Sequence, residues 1–197
     1  MFPKKNAVRV RREEIKAEFW EKEIAWTGDN EAGWFRATRT LPLILNLLAD
    51  KKVSGSLDPT RVYLELLARH MDSGLVEMAS EGEHSYAAGY SGTRGVRTWQ
   101  ERMKVLEECG FIKTKKGGNL LFKYVLLVHP AIAVQNLRNQ GKVTDVWWEN
   151  YRARQIEAKE SLYEKLVPNT SPAKVVQLKV TKAKEVPKVT VKAGKAL

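Results

Sequence analysis

The chain has 197 residues, of which 43% are hydrophobic, enough for one ordinary domain with extensions or for two small domains. A single cysteine excludes an intramolecular disulfide framework and a cysteine-based zinc site and fits a reducing compartment, and no apolar run is long enough to span a bilayer or serve as a secretory signal. The formal net charge of +11 argues for a polyanionic partner.

Residues 1–12 carry five Lys or Arg and no acid. They read as a basic arm without order, which either lies along phosphates or in a minor groove, or is only a solvated terminus. Glu13 to Thr27 has helical spacing, with Ile15, Phe19 and Ile24 near one side and acids early, where they suit the helix dipole. Trp20 and Trp26 make that helix adhesive, toward the core or a second subunit. A loop over 28–33 and a short extended segment over 34–39 follow. Leu41 to Ala49 is a nearly all-apolar helix and hence buried. Asp58-Pro59 marks the next helix start, with a capping carboxylate and Pro in the first helical position. That helix runs to about His70 with Val62, Leu66, Leu67 and Met71 inward. Asp72-Ser73-Gly74 ends it, and Leu75 to Met78 supplies a short strand.

The segment from Glu83 to Tyr90 reads as a short helix whose Ala87, Ala88 and Gly89 let another helix cross closely. After the linker Tyr90 to Gly95, the positions Val96, Trp99, Met103, Leu106 and Cys109 recur at helical spacing, and Gly110 stops the helix. Phe111 to Thr114 and Leu120 to Val128 are β-rich runs joined by a loop over Lys115 to Asn119, which predicts a hairpin. The second run is apolar on both faces after Tyr124, so later helices are expected to cover it. His129-Pro130 ends it. A short helix over 131–140 is closed by Gly141, and a long helix spans about 145–166, capped by Thr144 or Asp145. Its first half carries Trp147, Trp148 and Tyr151 and is expected to pack on the core; its second half would pair with a copy of itself or with the N-terminal helix. From Pro168 the chain lacks aromatic residues and holds seven Lys against one Glu, a composition that predicts disorder.

The two tails hold the whole charge surplus, because residues 13–167 contain 22 basic and 22 acidic side chains. Within that neutral core, residues 94–123 hold eight basic and three acidic residues, which biases the last helix–hairpin unit toward a polyanion.

Residues 35–128 resemble the winged helix-turn-helix DNA-binding superfamily, in the form seen in plasmid and phage replication initiators and related bacterial regulators. The resemblance is carried by Phe35-Arg36-Ala37 with Leu41 to Leu45, by Thr60 to Leu67, by Asp72 to Val76, by Ala87 to Ser91, and most specifically by Leu106-Glu107-Glu108-Cys109-Gly110-Phe111-Ile112. It covers about half the chain and departs from the family in the long, Gly-rich linker Tyr90 to Gly95. It implies a mainly α chain with a small antiparallel β-hairpin (α+β): a winged helix-turn-helix core with flanking N- and C-terminal helices. The expected divisions are a disordered basic arm (1–12), N-terminal helices packed on the core (13–52), the winged-helix DNA-binding domain (53–130), C-terminal helices for packing or dimerisation (131–167) and a disordered Lys-rich tail (168–197).

In such a domain the helix after the linker enters the major groove. Arg97 is then the first candidate for a bidentate contact to guanine, followed by Gln100 and Arg102, with Glu101 able to accept from cytosine and Thr98 and Lys104 on the same surface. Ser91, Thr93 and Arg94 suit phosphates, and Lys113, Lys115, Lys116 and Asn119 at the wing would make nonspecific contacts. The partner implied is double-stranded DNA, with a homodimer through the flanking helices. Nothing predicts catalysis, a cofactor, a metal or a small-molecule ligand: His70, His84 and His129 are scattered, and Cys109 falls on an apolar face. The expected function is sequence-specific DNA binding by a cytoplasmic, nucleoid- or plasmid-associated transcription regulator of a bacterium or mobile element. The alternatives are a replication initiator or accessory factor at origin repeats, and a protein-interaction module with nonspecific basic tails.

Overall fold

The computed structural model describes residues 7–20, 35, 37–70, 74–160 and 162–166. The Lys-rich tail, Ile24 and Trp26 of the expected N-terminal helix, residues 1–6 of the arm, and Met71 to Ser73 lie outside the described residues. The elements run α1 (Ala7–Trp20), α2 (Leu41–Ala49), α3 (Lys51–Ser54), α4 (Thr60–Arg69), β1 (Leu75–Glu77), α5 (Glu81–Ala87), α6 (Gly95–Glu108), β2 (Ile112–Gly117), β3 (Leu120–Leu127), α7 (Pro130–Asn139), α8 (Asp145–Ala158) and α9 (Tyr163–Leu166). The architecture is mainly helical, with one three-stranded antiparallel sheet in the order β1-β3-β2.

The core forms where apolar faces of separate elements converge. Ile44 and Leu48 of α2, Val62 and Leu66 of α4, Trp99, Met103 and Leu106 of α6, Val76 and Val125 of the sheet, Val134 and Leu137 of α7, and Tyr151 of α8 join one buried cluster. Trp99 is its centre: it is fully buried and meets the Phe122 ring edge-on at 5.6 Å. Both flanking helical regions thus contribute to the same core as the central unit. The Asp58 Oδ1 accepts the Thr60 N–H at 2.9 Å, but α4 begins one residue later than expected, with Pro59 and not Asp58 at the N-cap. At the end of α6 the Phe111 N–H reaches the Leu106 carbonyl and the Gly110 N–H reaches that of Glu107, both at 3.0 Å. This Schellman closure needs a left-handed residue, and Gly110 takes it at φ 78°.

Six expectations are corrected. Helix α1 begins at Ala7, inside the segment read as a disordered arm; no Pro or Gly interrupts residues 7–20, and straight-chain Arg, Glu and Lys favour helix. Its Ile15 and Phe19, expected on a packed side, are exposed. Val96, assigned to the apolar face of α6, is also exposed, because its position on the first turn lies to one side of the stripe led by Trp99. The hairpin turn is shorter than the loop 115–119, since the strands continue to Gly117 and Leu120, which pair, and only Gly118-Asn119 connect them. No described helix covers the outer face of β3, where Tyr124 and Leu126 are exposed. Finally, the helix expected over 145–166 stops at Ala158. Lys159 turns left-handed at φ 56°, and the Glu160 carboxylate instead receives the Thr40 N–H (3.1 Å) and hydroxyl (2.7 Å) at the start of α2.

Candidate nucleic-acid interface

Helix α6 is held on the core by Trp99, Met103 and Leu106, which fixes what its other sides present. Residues 97, 101, 104 and 108 follow one another at intervals of four, three and four, so Arg97, Glu101, Lys104 and Glu108 form the side opposite the core. The charges along that stripe alternate in sign. Arg97 is the most prominent, with its side chain 83% exposed and its Nε 3.3 Å from Glu101. Such an exposed pair is weak and exchangeable, so the guanidinium is available to a stronger planar acceptor. Arg94, Arg97, Thr98 and Glu101 surround a polar hollow of about 280 Å³ at the N-terminal end of α6.

The linker that opens α6 is shaped by a close approach. The Ser85 hydroxyl donates to the Tyr90 carbonyl at 2.9 Å, and a Cβ on Gly95 would lie 2.7 Å from that same oxygen, so only Gly fits the first position of the helix. Ser91, Thr93 and Arg94 are left exposed on the loop. The Arg94 side chain at the N-cap makes no capping hydrogen bond, and the positive dipole end of α6 lies beside Arg94 and Arg97.

Two of the residues expected to reach bases are instead held by the protein. The Gln100 side-chain amide donates to Glu81 at 2.6 Å. Arg102 donates to the carbonyls of Asp58 (3.1 Å) and Thr98 (2.9 Å) and lies 4.8 Å over the Tyr90 ring. Sequence reasoning missed Arg61, exposed on the first turn of α4, whose guanidinium lies against Gly89 and acts together with Arg102 on Tyr90. Burial pushes the Tyr90 phenol up while these two cations pull it down. Only the packing of α4 against α5 reveals this, because Arg61 is far from the linker in sequence.

The hairpin carries exposed Lys113, Lys115, Lys116 and Asn119. A register shift between Lys115 and Gly117 bulges β3, and the Phe122 N–H in the bulge is received by Glu81 at 2.9 Å. Buried Glu81 therefore ties the bulge of β3 to Gln100 of α6, which fixes the angle between hairpin and helix. Thr114 adds a second tie, its N–H (3.0 Å) and hydroxyl (2.8 Å) both donating to Glu107. Lys123 turns away from the tip, ion-paired with Glu77 at 3.0 Å and donating to the Met78 carbonyl.

The histidines have structural partners. His84 is buried with Nδ1 3.0 Å from Glu65 Oε1, and His129 Nδ1 accepts the Ala131 N–H at 3.2 Å to cap α7. Burial lowers the His129 pKa from its ordinary value. Among the described residues no three His, Cys, Asp or Glu side chains form a metal-ligand set, and no helix is long and apolar enough to cross a membrane. Burial raises the Cys109 thiol pKa. Comparison with protein-family models, with curated proteins and with solved structures returned no match for this chain.

Proposed function

We infer that the chain is a sequence-specific double-stranded DNA-binding protein of the winged helix-turn-helix type, acting as a transcription regulator. One observation carries the reading: the succession α4-β1-α5-α6-β2-β3, with β3 central in the sheet, leaves the first turns of α6 and a lysine-bearing hairpin open beside each other. In this reading α6 lies in the major groove with Arg97 directed at a base edge. Arg94, Ser91 and Thr93 meet phosphates at the helix N-terminus, joined by Arg61 from α4. Lys113, Lys115 and Lys116 add sequence-independent attraction from the hairpin. Gln100 and Arg102 position the helix and do not read bases. The neutral outer stripe of α6 fits a division of labour in which specificity comes from few contacts and affinity from the loop, hairpin and basic tails.

The test is selection of bound duplexes from a random pool, followed by comparison with Arg97→Ala on the enriched site. The substitution is expected to cost about 1–3 kcal/mol and to relax preference at one position. An enriched site bound equally well by the variant would remove α6 from the groove. A second reading, a protein-docking module, draws on the open groove of about 690 Å³ between α2 and α8, lined by Pro42, Leu43, Val146 and Trp147. It gains if no sequence is enriched and binding disappears as salt is raised.

A further inference from the structure

The strand register assigns six side chains to the outer face of the sheet, in two rows across three strands. Leu75 pairs with Leu126, which pairs with Lys113; Glu77 pairs with Tyr124, which pairs with Lys115. The opposite face carries Val76, Val125 and Ile112 and is buried in the core. All six outer residues are exposed, including large apolar ones: Leu75 at 45%, Leu126 at 43% and Tyr124 at 41%. An exposed sheet face is normally polar, so the apolar surface of Tyr124 and Leu126 there marks it as a contact surface.

The surroundings narrow the choice. Lys113 and Lys115 flank Leu126 and Tyr124 on the β2 side, and Lys123 Nζ lies 5.8 Å from the Tyr124 ring centroid. Glu77, the one acid in the two rows, is already paired with Lys123. The face thus combines a flat aromatic surface with cations on its β2 edge. A partner complementary to both must offer planar apolar surfaces and regularly spaced negative charge in the same molecule. Duplex DNA hides its base faces in the stack; a single strand offers them beside its phosphates.

We propose that the outer face of the sheet is a binding platform for single-stranded nucleic acid, with an unpaired base stacked on Tyr124 against Leu126 and the adjoining phosphates held by Lys113 and Lys115. This goes beyond the double-stranded reading and does not depend on α6 entering a groove. Lys113 and Lys115 would serve the single strand here and the duplex in the reading above, so the two nucleic acids would compete for them.

The experiment measures binding of the full chain to labelled oligo-dT and to a duplex by fluorescence anisotropy, across a salt series. Tyr124→Ala is expected to weaken oligo-dT binding by about 5- to 150-fold, the range for one base no longer stacked, with duplex binding changed less than about twofold. Tyr124→Leu, which keeps an apolar side chain on the sheet, is expected to weaken it likewise, and Tyr124→Phe to retain it. Replacing both Lys113 and Lys115 by Gln should lower the log–log salt slope on oligo-dT by about 1.4, or about 0.7 for each phosphate no longer neutralised. The proposal is overturned if Tyr124→Ala leaves oligo-dT binding unchanged, or if Tyr124→Leu binds as the parent does. Equal weakening on duplex and single strand would also overturn it. So would sedimentation data in which Tyr124→Ala converts a dimer to a monomer, since the face would then be an interface between copies.

Discussion

Substituting Glu81 probes the joint between hairpin and helix. The side chain is buried, with the residue only 7% exposed, and its two carboxylate oxygens serve two elements: Oε1 accepts the Phe122 N–H at 2.9 Å and Oε2 accepts the Gln100 amide at 2.6 Å. In Glu81→Ala the Phe122 N–H loses its acceptor in a buried place, which costs about 1–3 kcal/mol. Gln100 is only partly buried and water can replace part of its bond, so its loss adds about 0.5–1 kcal/mol. Removing an acid from the first turn of α5 adds about 0.3–1 kcal/mol. The expected destabilisation is therefore about 2–5 kcal/mol. Glu81→Gln keeps an acceptor for Phe122, and Gln100 can turn its own oxygen toward the new amide, so about 1 kcal/mol is expected. Urea unfolding followed by tryptophan fluorescence measures both. A double-mutant cycle with Gln100→Ala should give a coupling of at least about 0.5 kcal/mol. A Glu81→Ala chain within about 0.5 kcal/mol of the parent would refute the claim that this carboxylate joins β3 to α6.

Trp99→Ala should cost about 3–5 kcal/mol through the cavity it opens, because the side chain is fully buried against Phe122. Its indole N–H meets no acceptor among the described residues, so Trp99→Phe, which removes that buried donor, should cost clearly less in the same urea assay. The alkaline limb of stability should be set by Tyr63 and Tyr151, both held by burial well above the ordinary phenol value. The unfolded chain releases these protons from about pH 10 while the folded chain keeps them, so stability is intact below that pH and falls above it. Absorbance at the tyrosinate band should show these two residues ionising only with unfolding; smooth titration of all six tyrosines in folded protein would contradict their burial.

Much of the order of elements was legible because it depends on local chemistry. The apolar helix Leu41–Ala49, the stop at Gly110, the Asp58 carboxylate at the start of α4 and the short strand after Gly74 each follow from a few adjacent residues. The failures share a cause as well. Helical spacing through Val96 and Cys109 is compatible with a stripe that begins one turn too early, and only contact with Phe122 and His84 makes Trp99 its leading residue. The helix pattern past Ala158 was locally sound, yet Glu160 finds a better partner at Thr40, a residue 120 positions away.

The candidate interface divides the same way. Sequence alone determined which side chains are basic, that the segment 94–123 carries their excess within the core, and that a helix precedes a hairpin there, because charge and periodicity belong to the chain itself. It could not decide which of those groups are available. Partners from distant elements decided that: Glu81 of α5 takes Gln100, Asp58 before α4 and Tyr90 in the linker take Arg102, and Glu77 of β1 takes Lys123. The strand register likewise turned one apolar run into a buried face and an open one, since alternation fixes that two faces exist but only packing fixes which of them the helices cover.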